Sequence, residues 1–316
     1  MTFTAILVRD GEVRRLSAEE AFAYGGPGFL WTHLESDGDE LPLVVRPDIP
    51  DVAANALVAT ETRPRCERID QGAIVNLRGP AAAETDNSDR LVSIRMWARA
   101  GKADSVTRRP LAATAAVTAQ MEAGRILDPG DLVTAYAREI SAALDPQVAE
   151  LGDELDDCES GLESANKFRL RTAITRIRSE AIAFRRFVAP DRDALTALTA
   201  MDFGWLAEDD KLHIREAADR FARMAEELEA VRERSALLHE QLTDLRAEEI
   251  DQRSLLISVV AFIFLPLTFI TGLLGMNVQG IPDAQDPWAF WEVVVLCVIL
   301  GIGVLAWFVR RQWLRR

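Results

Sequence analysis

The chain has 316 residues, with 36 Lys and Arg against 50 Asp and Glu and a formal charge of −14. That balance excludes nucleic acid as a partner, because such binding rests on a basic footprint. It points toward cations, although acidity alone also serves solubility.

The first residues, Met1–Asp10, are too short and too soon interrupted by Arg9 and Asp10 to act as a signal peptide, so the part before the membrane is expected in the cytoplasm. Residues 2–8 and 28–34 read as short strands around the turn-rich Gly25, Gly26 and Pro27, and Asp51–Ala59 as a short helix. Residues 72–78, 90–99 and 103–108 are further strands, rich in β-branched residues and bounded by Gly and Pro. The polar run Glu84–Asp89 is a hairpin or an exposed loop. Residues 1–128 are therefore expected to form a small α/β domain around a mixed sheet. The cysteines Cys66, Cys158 and Cys297 have no paired spacing and encode neither a disulfide framework nor a zinc finger.

Residues 129–253 read as a helical stalk. Asp131–Ala143 is one helix and Pro146–Ala165 a longer acidic one, followed by the basic Phe168–Val188. An acidic helix beside a basic one most simply means an antiparallel pair, with a basic membrane-surface helix as the other reading. Asp191, after Pro190, is placed to cap the next helix. From Asp209 no Pro or Gly occurs until Pro266, so Asp209–Leu274 reads as one helix. At 1.5 Å per residue it would be roughly 100 Å long and pass from the stalk into a bilayer.

Residues 254–316 form the membrane part. The runs 255–274 and 290–309 are each about long enough to cross a hydrocarbon core, which takes about 20 apolar residues. The connecting loop carries Asp283 and Asp286 but no Lys or Arg, whereas Arg246 and Arg253 precede the first span and Arg310, Arg311, Arg315 and Arg316 follow the second. Basic residues stay on the cytoplasmic side, so both termini are expected there and the loop outside. Trp288, Trp291, Trp307 and Trp313 sit where interfacial anchors belong. The fold class expected is an α+β cytoplasmic domain with a very long stalk helix continuing into a two-helix transmembrane domain.

Counting down from Thr268 by threes and fours meets Leu265, Ala261, Ser258, Ser254, Asp251, Ala247, Asp244 and Glu240, all on one helical face. Polar groups in a span normally face a bundle interior or a water-filled path. The small residues alone would also suit close helix packing, but their continuation into acids favours a pore. Phe262, Phe264, Ile263 and Val259 stand opposite and suit lipid or the second span. Two spans cannot enclose a path, so several copies are required. At the outer mouth Gly275 and Gly280 let backbone carbonyls approach an ion, and Asn277 offers an amide oxygen; such neutral ligands suit a divalent ion that keeps its water. An ordinary turn is the plainer reading of that loop. Glu240, Asp244 and Asp251 are candidate metal ligands because symmetry would make rings of them, while solvated stalk acids remain the alternative. His33, His213 and His239 have no partner at ligand spacing, and Cys158 among Asp153, Glu154, Asp156, Asp157 and Glu159 is a weaker soft-and-hard candidate.

Gly275-Met276-Asn277 at the end of the first of two C-terminal spans resembles the signature of the CorA family of divalent-cation transporters. The stretches 264–282, 286–291, 185–195 and 61–79 are more similar to its ZntB branch of zinc transporters, with Gln279 standing where that branch usually has Gly. The resemblance implies a homopentamer in the inner membrane, its pore lined by the first spans and surrounded by the second. It implies an outer selectivity ring of Asn277 shaped by Gly275 and Met276, a pore-lining Thr268, a constriction at Leu265, and Arg310–Arg316 around the cytoplasmic exit. It also implies zinc import coupled to protons, with Mg2+, Co2+, Ni2+ and Cd2+ as further candidate ions and no covalently bound cofactor. A CorA-like magnesium or cobalt channel gated by cytoplasmic divalent cation is the nearest alternative, and a membrane-anchored scaffold the alternative from another class. No phosphate loop, nucleophile motif or clustered His/Asp/Ser set suggests an enzyme.

Overall fold

The computed structural model describes residues 2–36, 46, 48–60, 63–82, 91–162, 167–276, 281 and 286–313, with side chains to 310. The Glu84–Asp89 run lies outside them. The chain divides into two units, Met1–His239 and Glu240–Arg316.

Among the described residues the first unit has seven strands: β1 (Thr2–Arg9), β2 (Glu12–Arg15), β3 (Phe29–Glu35), β4 (Arg65–Ile69), β5 (Gly72–Pro80), β6 (Leu91–Arg99) and β7 (Lys102–Thr107). They form one sheet in the order β2-β1-β3-β7-β6-β5-β4. Only β3 and β7 pair in parallel, so the sheet is mixed, as expected. The strand period of two sends Leu30 and Leu34 to one face, against α1 (Ala18–Ala23) and α2 (Asp51–Val58). Trp31 and His33 point to the other, where Trp31 meets the buried Tyr136 edge-on at 6.2 Å. Tyr136 belongs to α4 (Pro129–Ser160). Both faces are therefore covered, which is why β3, β5 and β6 are buried almost continuously rather than at alternate residues. The short strands β2 and β4 and the helices α1 and α3 (Ala112–Glu122) were not expected from sequence. Strands β2 and β4 are mostly polar and edge-lying, so they lack the apolar pattern that identifies a strand.

Three expectations for the helices need correcting. Asp131–Ala143 and Pro146–Ala165 are one helix, α4, which carries Pro146 in its interior. Its buried stripe of Ile140, Leu144, Val148, Leu151 and Leu155 runs unbroken past the proline, so packing outweighs the local defect. Likewise α5 (Lys167–Thr199) continues through Pro190. Asp191 is thus no cap but a fully buried mid-helix residue, and its Oδ1 accepts the backbone N–H of Arg78 at 3.0 Å. The α4 and α5 helices do pack on one another, with Arg176 donating to Glu154 at 2.6 Å. Helix α6 runs from Glu208 to Leu274 without a break, 67 residues, and begins one residue before the expected start. Helix α7 (Ala289–Trp313) spans the second apolar run.

Candidate functional site

In the second unit, the apolar part of α6 and Ala289–Arg310 of α7 are long and apolar enough to cross a membrane. Half-buried positions on α6 are Val259, Ile263, Pro266, Leu267, Ile270 and Leu274. On α7 they are Ala289, Val293, Val294, Cys297, Leu300, Gly301, Val304 and Phe308. Each set recurs every three or four residues, so each is one seam. Phe262 meets Phe308 edge-on at 5.9 Å across the pair. Phe262 was expected opposite the polar stripe, and Cys297 is a packing residue on the inner seam of α7.

The predicted stripe lies away from this seam. At about 100° per residue, Ser254, Ser258, Ala261, Leu265 and Thr268 centre roughly 170° around α6 from the centre of that seam. All five are exposed in the single chain, Leu265 at 76%. The Ser258 hydroxyl donates to the Ser254 carbonyl at 2.8 Å, and that of Thr268 to the Phe264 carbonyl at 2.7 Å. A hydroxyl that has given its proton to the helix backbone turns oxygen lone pairs outward. Such a surface accepts hydrogen bonds from water and is favourable to a hydrated cation, and within a bilayer it needs cover or water.

Glu240, Asp244 and Asp251 continue the same face and are exposed. Among the described residues none of the three side chains has an ion pair or a hydrogen bond. The acids of the first unit are used differently: Glu216 holds Arg220 at 3.0 Å, and Glu229 holds Arg185 at 2.9 Å. At the top of α6, Gly275 closes the helix by donating to Thr271 O at 2.9 Å, and a Cβ there would lie 3.0 Å from that oxygen. Met276 is exposed. Asn277, the residue expected to form the selectivity ring, lies outside the described residues, as do Gln279, Gly280 and Asp283.

His33 and Cys158 have other work. His33 is buried with Nδ1 2.9 Å from Ser105 Oγ, and burial lowers its pKa to about 4. Cys158 is buried, while neighbouring Asp156 and Glu159 both hold Arg234 at 2.6 Å.

One group escaped the sequence reading. Asp128, Asp131 and Asp210 bring carboxylate oxygens within 4.8 Å of one another. Asp128 caps α4 by accepting Asp131 N–H at 2.9 Å, Asp131 accepts Leu127 N–H at 2.9 Å, and Asp210 accepts Ala207 N–H at 2.8 Å. Two helix starts thus meet head to head, and a Cβ on Gly130 would lie 2.3 Å from Asp210 Oδ2, so only glycine admits this approach. Burial, then the charge of Asp128, raises the Asp210 carboxyl from 3.8 to about 6. Three carboxylates at this spacing are able to hold a hard cation or to share a proton. The Asp128-Pro129 cap signal was readable in the sequence; its meeting with Asp210, 82 positions later, was not.

Residues 26–311 match the family described as CorA-like Mg2+ transporter protein. The chain is 30% identical over 290 residues to the zinc transport protein ZntB of Pectobacterium carotovorum, an alignment covering 90% of this chain and 88% of that protein. It is 33% identical over 298 residues to the divalent cation transporter CmaX of Pseudomonas aeruginosa, covering 90% and 87%. The solved structure of full-length CmaX superposes with a TM-score of 0.80 at 28% identity, covering 99% of this chain and 98% of that one.

Proposed function

The chain belongs to the CorA family of transporters, and on that premise we propose that it carries divalent cations, zinc first among them, through a pore lined by α6. The stripe from Glu240 to Thr268 carries the proposal: it is small and polar among the span residues, acidic below them, and turned from the second span. Two spans enclose nothing, so the pore belongs to an assembly, five copies by the resemblance to CorA transporters, with α7 on the lipid side. The hydroxyls of Ser254, Ser258 and Thr268 line the path, Leu265 narrows it, and Gly275, Met276 and Asn277 form the mouth. Glu240, Asp244 and Asp251 then become rings of acid that collect cations at the inner end. The membrane is the inner one, with both termini in the cytoplasm and import, driven by protons, as the direction. The function is transport rather than catalysis.

A relative named for zinc and another named for divalent cations in general frame two readings of selectivity. Purified protein in liposomes, with an internal zinc dye, an imposed pH gradient and a parallel magnesium series, separates them. Zinc entry that rises with the proton gradient supports proton-coupled zinc import. Gradient-independent flux favouring magnesium would keep the pore and discard zinc coupling. No flux of any divalent ion would leave the spans as a mere anchor.

A further inference from the structure

In so acidic a chain, six arginines converge on one cavity. Arg63, Arg78, Arg95, Arg108, Arg109 and Arg186 line a space of about 630 Å³ on the α2 side of the sheet. The register explains the convergence. Ile74, Trp97 and Val106 face α2, and strand alternation puts Arg78 of β5 and Arg95 of β6 on that same face. Arg108 follows β7, and α5 adds Arg186 and Phe187 from the side. The outer guanidinium groups are held in place. Arg108 donates to the Val58 carbonyl and Arg109 to the Leu91 carbonyl, each at 3.1 Å, while Arg78 lies 3.9 Å over the Phe187 ring.

Arg95 stands at the base, only 3% exposed. Its Nε has no hydrogen-bond partner among the described residues, and neither Oδ1 nor Nδ2 of Asn76, directly across the strand pair, has one. Burial first, then the positive charges of Arg108 and Arg78, pull its pKa down to about 10. The other arginine buried among the described residues is treated differently: Arg46 reaches Asp104 at 2.8 Å and Asp48 at 2.6 Å. A buried charge facing like charges is costly unless something compensates it.

We propose that this cavity is a binding site for a small polyanion bearing phosphate groups, an inorganic polyphosphate or a nucleoside polyphosphate, with Arg95 at its base and Arg78, Arg108, Arg109 and Arg186 around it. The planar guanidinium fork matches phosphate oxygens two at a time, and the space falls within the range of about 300–1,000 Å³ usual for small-ligand pockets. The site lies in the sheet unit, Met1–His239.

The test is calorimetric titration of the full chain in nanodiscs, in metal-free buffer, with tripolyphosphate and with ATP. Saturable binding of either is expected. Arg95→Gln and the exposed Arg186→Gln should each weaken it about tenfold or more, while Arg171→Gln, on α5 outside the cavity, should not change it. Binding of both ligands would mean that the phosphate chain alone is read; binding of ATP alone would add recognition of the nucleoside. Absence of saturable binding, or wild-type affinity in both cavity variants, overturns the proposal. If Arg95→Gln fails to fold, Arg186→Gln decides.

Discussion

Replacing Asp210 by Asn removes a charge while keeping a side-chain oxygen that can accept the Ala207 N–H. The carboxyl is 5% exposed, beside Asp128 and Asp131, with its pKa raised from 3.8 to about 6 by burial and then by the Asp128 charge. That rise corresponds to about 3 kcal/mol at about 1.4 kcal/mol per pH unit. The folded chain holds this proton more tightly than the unfolded one. Its contribution is therefore present in full below about pH 4 and lost as pH rises through 6. At neutral pH Asp210→Asn should be more stable by about 1–3 kcal/mol, or roughly 2–4 °C in Tm for each kcal/mol in a unit of this size. The gain should shrink as pH falls from 6.5 toward 4. The Asp191 carboxyl titrates in the same direction, so the difference between the two melting curves carries the test rather than either curve. Intrinsic tryptophan fluorescence of the full chain in nanodiscs, melted at several pH values, measures it. Parallel curves across that range would refute the account of two helix starts crowding their carboxylates together.

Asn277→Ala should abolish divalent-ion entry into liposomes while the assembly still elutes at wild-type size; normal entry would remove the mouth from the mechanism. Asp244→Asn combined with Asp251→Asn should lower flux about two- to tenfold at low ion concentration and low salt, and less when salt screens the wild-type rings, whereas a deficit unchanged by salt would count against cation collection. Asp191→Ala leaves the half-buried Arg78 N–H without its acceptor and should cost about 1–3 kcal/mol in chemical denaturation. Asp191→Asn keeps the acceptor without the charge, so equal losses in the two variants would show that the hydrogen bond is not what matters.

Features that depend on neighbours along the chain were legible in the order of its residues. Two apolar runs of span length, the first uncharged and the second with one acid, Glu292, at its start, the uninterrupted stretch from Asp209 and the three-to-four spacing of Ser254, Ser258 and Thr268 are local patterns, and helix α6 follows them almost to the residue. Length and periodicity survive folding because a helix satisfies its own backbone. Features that depend on residues far apart were settled by packing. It carried α4 and α5 straight through Pro146 and Pro190, because a continuous buried stripe outweighs one missing hydrogen bond. It buried Asp191 where the local signal read a cap, and it set Asp210 beside Asp128 across 82 positions. It also gathered arginines from β5, β6, the end of β7 and α5 into one cavity, which only the strand register brings about. A one-dimensional pattern carries periodicity and hydropathy; which charges end up facing one another is fixed when sheet and helices close over a shared core.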